Sequence, residues 1–205
     1  MPYNLPNILT ITRIVLIFVA LVLATNSGIP GGVKVKSDAI EMILRYIAYG
    51  LAILAGITDY IDGHLARKWN QITEFGALMD PLADKIFVTT TMLILVEFHL
   101  IAAWVAAVVI AREFLVTGLR MLAIRRGKII SADRWGKLKT ALQMLMLFIG
   151  GLVWINVLDL DMRFGNLISL RTIWYILLWG IVVVTVGSGI SYFVKNKELV
   201  LSDRD

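Results

Sequence analysis

Between Asp59 and Asp84 the chain reads D-Y-I-D-G-H-L-A-R-K-W-N-Q-I-T-E-F-G-A-L-M-D-P-L-A-D. Four carboxylates, Asp59, Asp62, Asp80 and Asp84, stand in or beside long apolar runs. An ionised carboxylate is costly in hydrocarbon, so residues of this kind line polar cavities and mark function. The first pair is spaced i, i+3 and the second i, i+4, which puts each pair on one face of a helix. Four like charges left alone would repel one another and some would protonate. Hard divalent cations resolve the conflict, because Mg²⁺, Mn²⁺ and Ca²⁺ take oxygen ligands. The competing reading is a structural ion-pair network with Arg67 and Lys85, but two cations do not balance four carboxylates.

A second set of residues is basic. Arg112 and Arg120 lie in A-R-E-F-L-V-T-G-L-R, and Lys137 and Lys139 in S-A-D-R-W-G-K-L-K-T. Arg112 falls more than two helical turns inside an apolar segment, where an uncompensated guanidinium is expensive. A substrate that carries its own phosphate would explain such a cluster. Glu113 stands ready to pair with or orient Arg112, although adjacent helical residues point apart. The plainer reading of Lys137 and Lys139 is charge bias at a membrane boundary.

These groups have to be positioned by membrane helices. The chain has 205 residues, 59% of them hydrophobic, and a mean hydropathy of +0.80, too apolar for a soluble domain of this size. Its apolar runs are each long enough to span a bilayer. They predict six helices over roughly 8–26, 40–67, 79–98, 101–126, 135–157 and 170–195. Two prolines and two asparagines in M-P-Y-N-L-P-N suggest a short interfacial helix or turn ahead of the first span. Arg13 and the lack of a basic leader argue against a cleaved signal peptide. Asp80-Pro81 reads as a helix start, with Asp80 near the cap. Segments 27–38 and 158–171 read as polar loops. No cysteine is present, which excludes disulfides, thiolate metal sites and a cysteine nucleophile. The net charge of +5 belongs to loops flanking the membrane, so no nucleic-acid partner is expected. Lysine and arginine crowd the termini and the turns near 68–78 and 127–134, which places those parts, and the aspartates with them, on the cytoplasmic side. His64 and His99 form no zinc pattern, and several tryptophans sit at predicted helix ends, as interfacial belts require.

The full pattern, Asp59-x2-Asp62-Gly63-x2-Ala66-Arg67-x8-Gly76-x3-Asp80-x3-Asp84, resembles the signature of the CDP-alcohol phosphotransferases at every fixed position. The resemblance implies their fold, an all-α membrane protein with six transmembrane helices in a single domain over residues 1–205, working as a homodimer. It implies transfer of a phosphatidyl group from a CDP-linked donor to an alcohol, with release of CMP. Asp59, Asp62, Asp80 and Asp84 would then hold two divalent cations, Mg²⁺ or Mn²⁺, and Asp84 would also be the general base. Gly63, Ala66, Arg67, Thr73 and Gly76 would contact the donor, CDP-diacylglycerol. The blocks N-L-P-N-I-L-T-I-T-R, R-E-F-L-V-T-G-L-R and G-K-L-K-T-A-L-Q look like the branch of that family found in bacterial cytoplasmic membranes, whose acceptor is sn-glycerol 3-phosphate. On that resemblance Asn7, Thr10 and Arg13 help close the nucleotide site, and Arg112, Arg120, Lys137 and Lys139 bind the acceptor phosphate. The nearest alternative is the same chemistry with inositol phosphate, serine or phosphatidylglycerol. A rival of another class, a cation transporter, would be expected to show inverted repeats or broken helices. The chain has neither.

Overall fold

The computed structural model describes residues 5–28, 37–69, 74–127, 134–164 and 168–197, with the side chains of residues 59–78 outside the described part. They form six α-helices: α1 (Leu5–Thr25), α2 (Asp38–Trp69), α3 (Glu74–Glu97), α4 (Ala103–Arg125), α5 (Arg134–Trp154) and α6 (Leu170–Lys195). The segment expected as a polar loop before α6 holds a small antiparallel hairpin. In it β1 (Arg163–Phe164) pairs with β2 (Ile168–Ser169), and Arg171 bonds Asp161 at 2.9 Å beside it. Ser169 caps α6 by accepting from the Thr172 backbone N–H.

Four helices are long and apolar enough to cross a membrane, over Asn7–Thr25, Asp38–Thr58, Trp135–Trp154 and Leu170–Lys195. Helices α3 and α4 have comparable lengths, 24 and 23 residues, but carry Asp80, Asp84 and Lys85, and Arg112, Glu113 and Arg120. The exposed faces of α1, α2 and α6 are rich in large apolar side chains: Val15, Phe18 and Val22 on α1, Ile43 and Ile47 on α2, Ile176, Val183 and Ile190 on α6. Contiguous apolar surface on this scale suits lipid and not water. The chain is a multi-pass membrane protein.

Two compact units divide the chain, Met1–Leu100 with Trp154–Val157, and Ile101–Val153 with Leu158–Asp205. In the first, α1 packs against α2 and α3. The buried face of α1 is Thr10, Arg13, Ile17, Ala20 and Ala24, at the three-and-four spacing of one helical stripe. Helix α2 buries Ala48, Ala52 and Ala55. Small residues on both helices let their backbones approach, which is how helices associate when lipid competes for apolar surface. At the end of this unit remote from residues 59–84, Arg45 donates to the carbonyls of Ser27 and Gly28 and lies 5.0 Å from the Phe98 ring, which in turn packs on Trp154 at 5.2 Å. Gly28 has φ +78°, and a Cβ there would come within 2.5 Å of the Glu41 carboxyl. Gly28→Ala should therefore lower stability by about 1–2 kcal/mol, read as a lower thermal midpoint in detergent; an unchanged midpoint would show that the turn relaxes freely.

In the second unit α4 packs against α6, with Trp104 on Trp179 at 5.6 Å. Helix α5 joins α4 through an ion pair between Lys139 and Glu113.

The structure corrects two expectations. First, α3 begins at Glu74, and Pro81 lies inside it, so Asp80 is not a cap. Residues 74–79 (E-F-G-A-L-M) mostly favour helix, and membrane helices tolerate an internal proline because the freed carbonyl is satisfied locally. Second, the described N-terminal residues form no separate interfacial helix. Helix α1 is continuous from Leu5, because Pro6 falls in its first turn, where a missing N–H costs nothing.

Candidate active site

The carboxylate cluster is built from α1, α2 and α3 of the first unit. On α3, Asp80 and Asp84 are one turn apart and both exposed. On α1, Thr10 and Arg13 lie on one buried stripe with matching spacing. The two stripes meet in register: Thr10 Oγ1 donates to Asp80 Oδ1 at 2.9 Å, and Arg13 Nη1 donates to Asp84 Oδ1 at 2.9 Å. Arg13 is 2% exposed while Asp84 is 57% exposed, so a buried guanidinium steadies a carboxylate that still faces outward. A buried arginine is tolerable only when it is paired in this way. Asn7 sits one turn before Thr10 and is half-buried.

Asp59, Asp62, Gly63, Ala66 and Arg67 fall on the last third of α2, and Gly76 in the first turn of α3. Their side chains are outside the described part, and Thr73 lies outside the described residues altogether. The two helices pack together, and a Cβ on Gly56, three residues before Asp59, would lie 3.6 Å from Phe87 of α3. Among the described residues no group of three or more metal-binding side chains gathers. The two described carboxylates do fit a hard cation. They offer exposed oxygen donors from one helix face, and each has one oxygen oriented from behind by α1, the support that ligating carboxylates need.

The basic cluster is built from α4, α5 and α6 of the second unit. Glu113 binds Lys139 and lies 3.6 Å from Arg112, so the two neighbours on α4 do converge, each reaching sideways along the helix. Lys139 is 3% exposed and the Arg112 side chain 13% exposed. Two glycines make room for the arginine: a Cβ on Gly136 of α5 would lie 3.7 Å from Arg112 Nη2, and one on Gly189 of α6 3.3 Å from its Cγ. Arg120 is exposed; its Nε donates to Tyr192 Oη at 3.3 Å and its guanidinium lies 5.7 Å from the ring centre. Lys137 is exposed on α5. Of the four basic candidates, then, Arg112 and Lys139 come together around Glu113, Arg120 is held by Tyr192, and Lys137 faces outward. The Glu113–Lys139 pairing and the role of Tyr192 escaped sequence reasoning. The only signal for the first was that Arg112, Glu113 and Lys139 stand on helices that are mostly apolar.

Comparison with known proteins shows the family. The profile of the CDP-alcohol phosphatidyltransferase family matches residues 3–187. A CDP-diacylglycerol–glycerol-3-phosphate 3-phosphatidyltransferase of Bacillus subtilis is 37% identical over 196 residues, covering 96% of each chain. Proteins of the same name from Haemophilus influenzae and Rickettsia typhi are 34% and 35% identical, the first over 99% of this chain and 98% of its own, the second over 95% and 97%. A family match across nearly the whole length, with the aspartates at the spacing described and two of them held in register by α1, makes the chain a member of the CDP-alcohol phosphatidyltransferase family.

Proposed function

We infer that the chain transfers the phosphatidyl group of CDP-diacylglycerol to sn-glycerol 3-phosphate, giving phosphatidylglycerophosphate and CMP, a step of phospholipid synthesis. The observation that carries the chemistry is the Asp80–Asp84 face, steadied by Thr10 and Arg13 within a complete eight-residue motif. The relatives from Bacillus subtilis, Haemophilus influenzae and Rickettsia typhi carry this activity in their names. The cationic cluster of Arg112 and Lys139 suits an acceptor that carries a phosphate monoester, and leaves serine as the weaker choice.

On this reading Asp84 takes the proton from the acceptor hydroxyl as its oxygen attacks the phosphatidyl phosphorus. The bond from that phosphorus to the pyrophosphate bridge breaks, and CMP leaves with the electron pair. Asp59, Asp62, Asp80 and Asp84 hold two divalent cations, Mg²⁺ or Mn²⁺, which when bound neutralise the donor pyrophosphate and the leaving group. Thr10 and Arg13 fix the α3 carboxylates and close the nucleotide side together with Asn7. Gly63 and Gly76 let the nucleotide approach the backbone, with Ala66 small for the same reason, and Arg67 and Thr73 contact the donor. Arg112 and Lys139 receive the acceptor phosphate, with Arg120 and Lys137 drawing it in.

The reading extends to a single catalytic domain with all six helices across the cytoplasmic membrane. Helices α3 and α4 match the other four in length, and the charges that set them apart are the ones with chemical roles in the transfer. The excess of lysine and arginine near the termini and the 68–78 and 127–134 turns favours an active site facing the cytoplasm. The resemblance to the family adds a homodimer.

The test is CMP release by purified protein in detergent, with CDP-diacylglycerol, Mg²⁺ and one acceptor at a time. Release with glycerol 3-phosphate but not with serine, inositol or inositol phosphate is expected; another acceptor would overturn the reading of the basic cluster. Excess EDTA should abolish release and added Mg²⁺ or Mn²⁺ should restore it, whereas turnover that survives the chelator would remove the metals from the mechanism.

A further inference from the structure

Beneath the cluster of Arg112, Glu113 and Lys139 the second unit holds polar groups with no part in the transfer described above. Gln143 follows Lys139 by one turn on α5 and is 2% exposed; Thr185 precedes Gly189 by one turn on α6 and is 0% exposed. Gln143 Nε2, Thr185 Oγ1 and Arg112 Nε are buried, and each lacks a hydrogen-bond partner among the described residues. Leaving a buried donor without a partner is costly, and folded proteins carry few of them. Three within one three-helix unit call for a reason.

The helices explain where the three lie. Arg112 is flanked by Gly136 of α5 and Gly189 of α6. Positions 136, 139 and 143 share one face of α5, and 185 and 189 share one face of α6. Arg112 meets Gly136 near the start of α5 and Gly189 near the end of α6. Further along α4, Arg120 meets Tyr192, so the start of α5 and the end of α6 lie toward the C-terminal end of α4. A step from Lys139 to Gln143 and a step from Gly189 to Thr185 therefore lead in the same direction, away from that end. Both side chains lie about one turn further in than the charged cluster. All three unmet groups can donate, and the cluster above them sums to one positive charge. Such a floor is complementary to a ligand rich in acceptor oxygens.

We propose that Gln143 and Thr185 form the floor of the acceptor pocket and hydrogen-bond the middle hydroxyl of a short phosphorylated polyol, whose phosphate is held by Arg112 and Lys139. The proposal rests on the acceptor reading above and makes it more specific: these two residues select for a hydroxyl between the phosphate and the reacting carbon. A site that leaves its own polar groups unmet when the ligand lacks that hydroxyl rejects such a ligand strongly.

The experiment compares glycerol 3-phosphate with 3-hydroxypropyl phosphate, which keeps the phosphate and the primary hydroxyl and lacks the middle one. CMP release is measured for the wild type, Gln143→Leu and Thr185→Val, and thermal midpoints are taken without acceptor. The wild type should prefer glycerol 3-phosphate by about 100-fold or more in kcat/KM. Each variant should reduce that preference by about tenfold or more, through a loss confined to glycerol 3-phosphate. Midpoints should not fall, because an apolar group replaces an unmet polar one. An unchanged preference, or equal loss on both acceptors with a lower midpoint, overturns the proposal and leaves the acceptor reading standing. A wild type that releases CMP with neither acceptor overturns both.

Discussion

Asp84→Asn is expected to lower kcat for CMP release by about 10³-fold, within the range that a positioned general base contributes. Asparagine is the informative replacement because of Arg13. That guanidinium is buried and donates to one Asp84 oxygen at 2.9 Å. The amide oxygen of asparagine can still accept that bond, whereas alanine would strip a buried charge of a partner and confound catalysis with folding. The expected variant is therefore folded, binds CDP-diacylglycerol within a few-fold of the wild type, and fails in the chemical step. Equilibrium binding of the donor and single-turnover CMP release separate the two effects. Turnover near the wild-type rate would deny Asp84 its role as base.

Removing the Arg112 charge is the second large effect. Charge-assisted hydrogen bonds contribute roughly 1.5–3 kcal/mol, so kcat/KM for glycerol 3-phosphate should fall by roughly 10- to 100-fold while KM for CDP-diacylglycerol holds. The variant has to be chosen with the packing in view. The stem of Arg112 rests against Gly189, so alanine removes an apolar contact as well as a charge. Arg112→Met keeps the stem and removes only the guanidinium. Both variants should show the same acceptor defect, with alanine alone costing stability. Equal effects on donor and acceptor in Arg112→Met would remove Arg112 from the acceptor site.

Much of the fold was legible because the bilayer imposes a strong pattern. The helices that form α1, α2, α4, α5 and α6 follow from hydrophobic runs bounded by Gly, Pro and charge, and each lies within a few residues of its expected place. The start of α3 was not legible. Asp80-Pro81 has the local chemistry of a helix start, and local chemistry cannot report that the preceding turn is already helical. The aspartates could be singled out from their spacing, since residues three or four apart on a helix share a face. The partners of those aspartates could not be found this way. Nothing in the sequence says that Thr10 faces Asp80 across 70 residues, or that Lys139 reaches Glu113 rather than water. Gln143 and Thr185 were silent for the same reason. A single polar residue in an apolar run looks incidental until its burial, and the absence of a partner for it, are known.

The division of the chain into two units has a consequence for how members of such a family diversify. All four aspartates belong to the first unit and every basic candidate to the second. On the proposed assignment of the aspartates to the donor and the basic residues to the acceptor, reaction chemistry and acceptor choice would lie on separate stretches of chain. These stretches join at the turn around His99, a non-glycine residue with φ 58°. Recombination at that turn would exchange the acceptor and keep the reaction, provided that both parents share the Phe98–Trp154 contact, through which residues 154–157 return to the first unit.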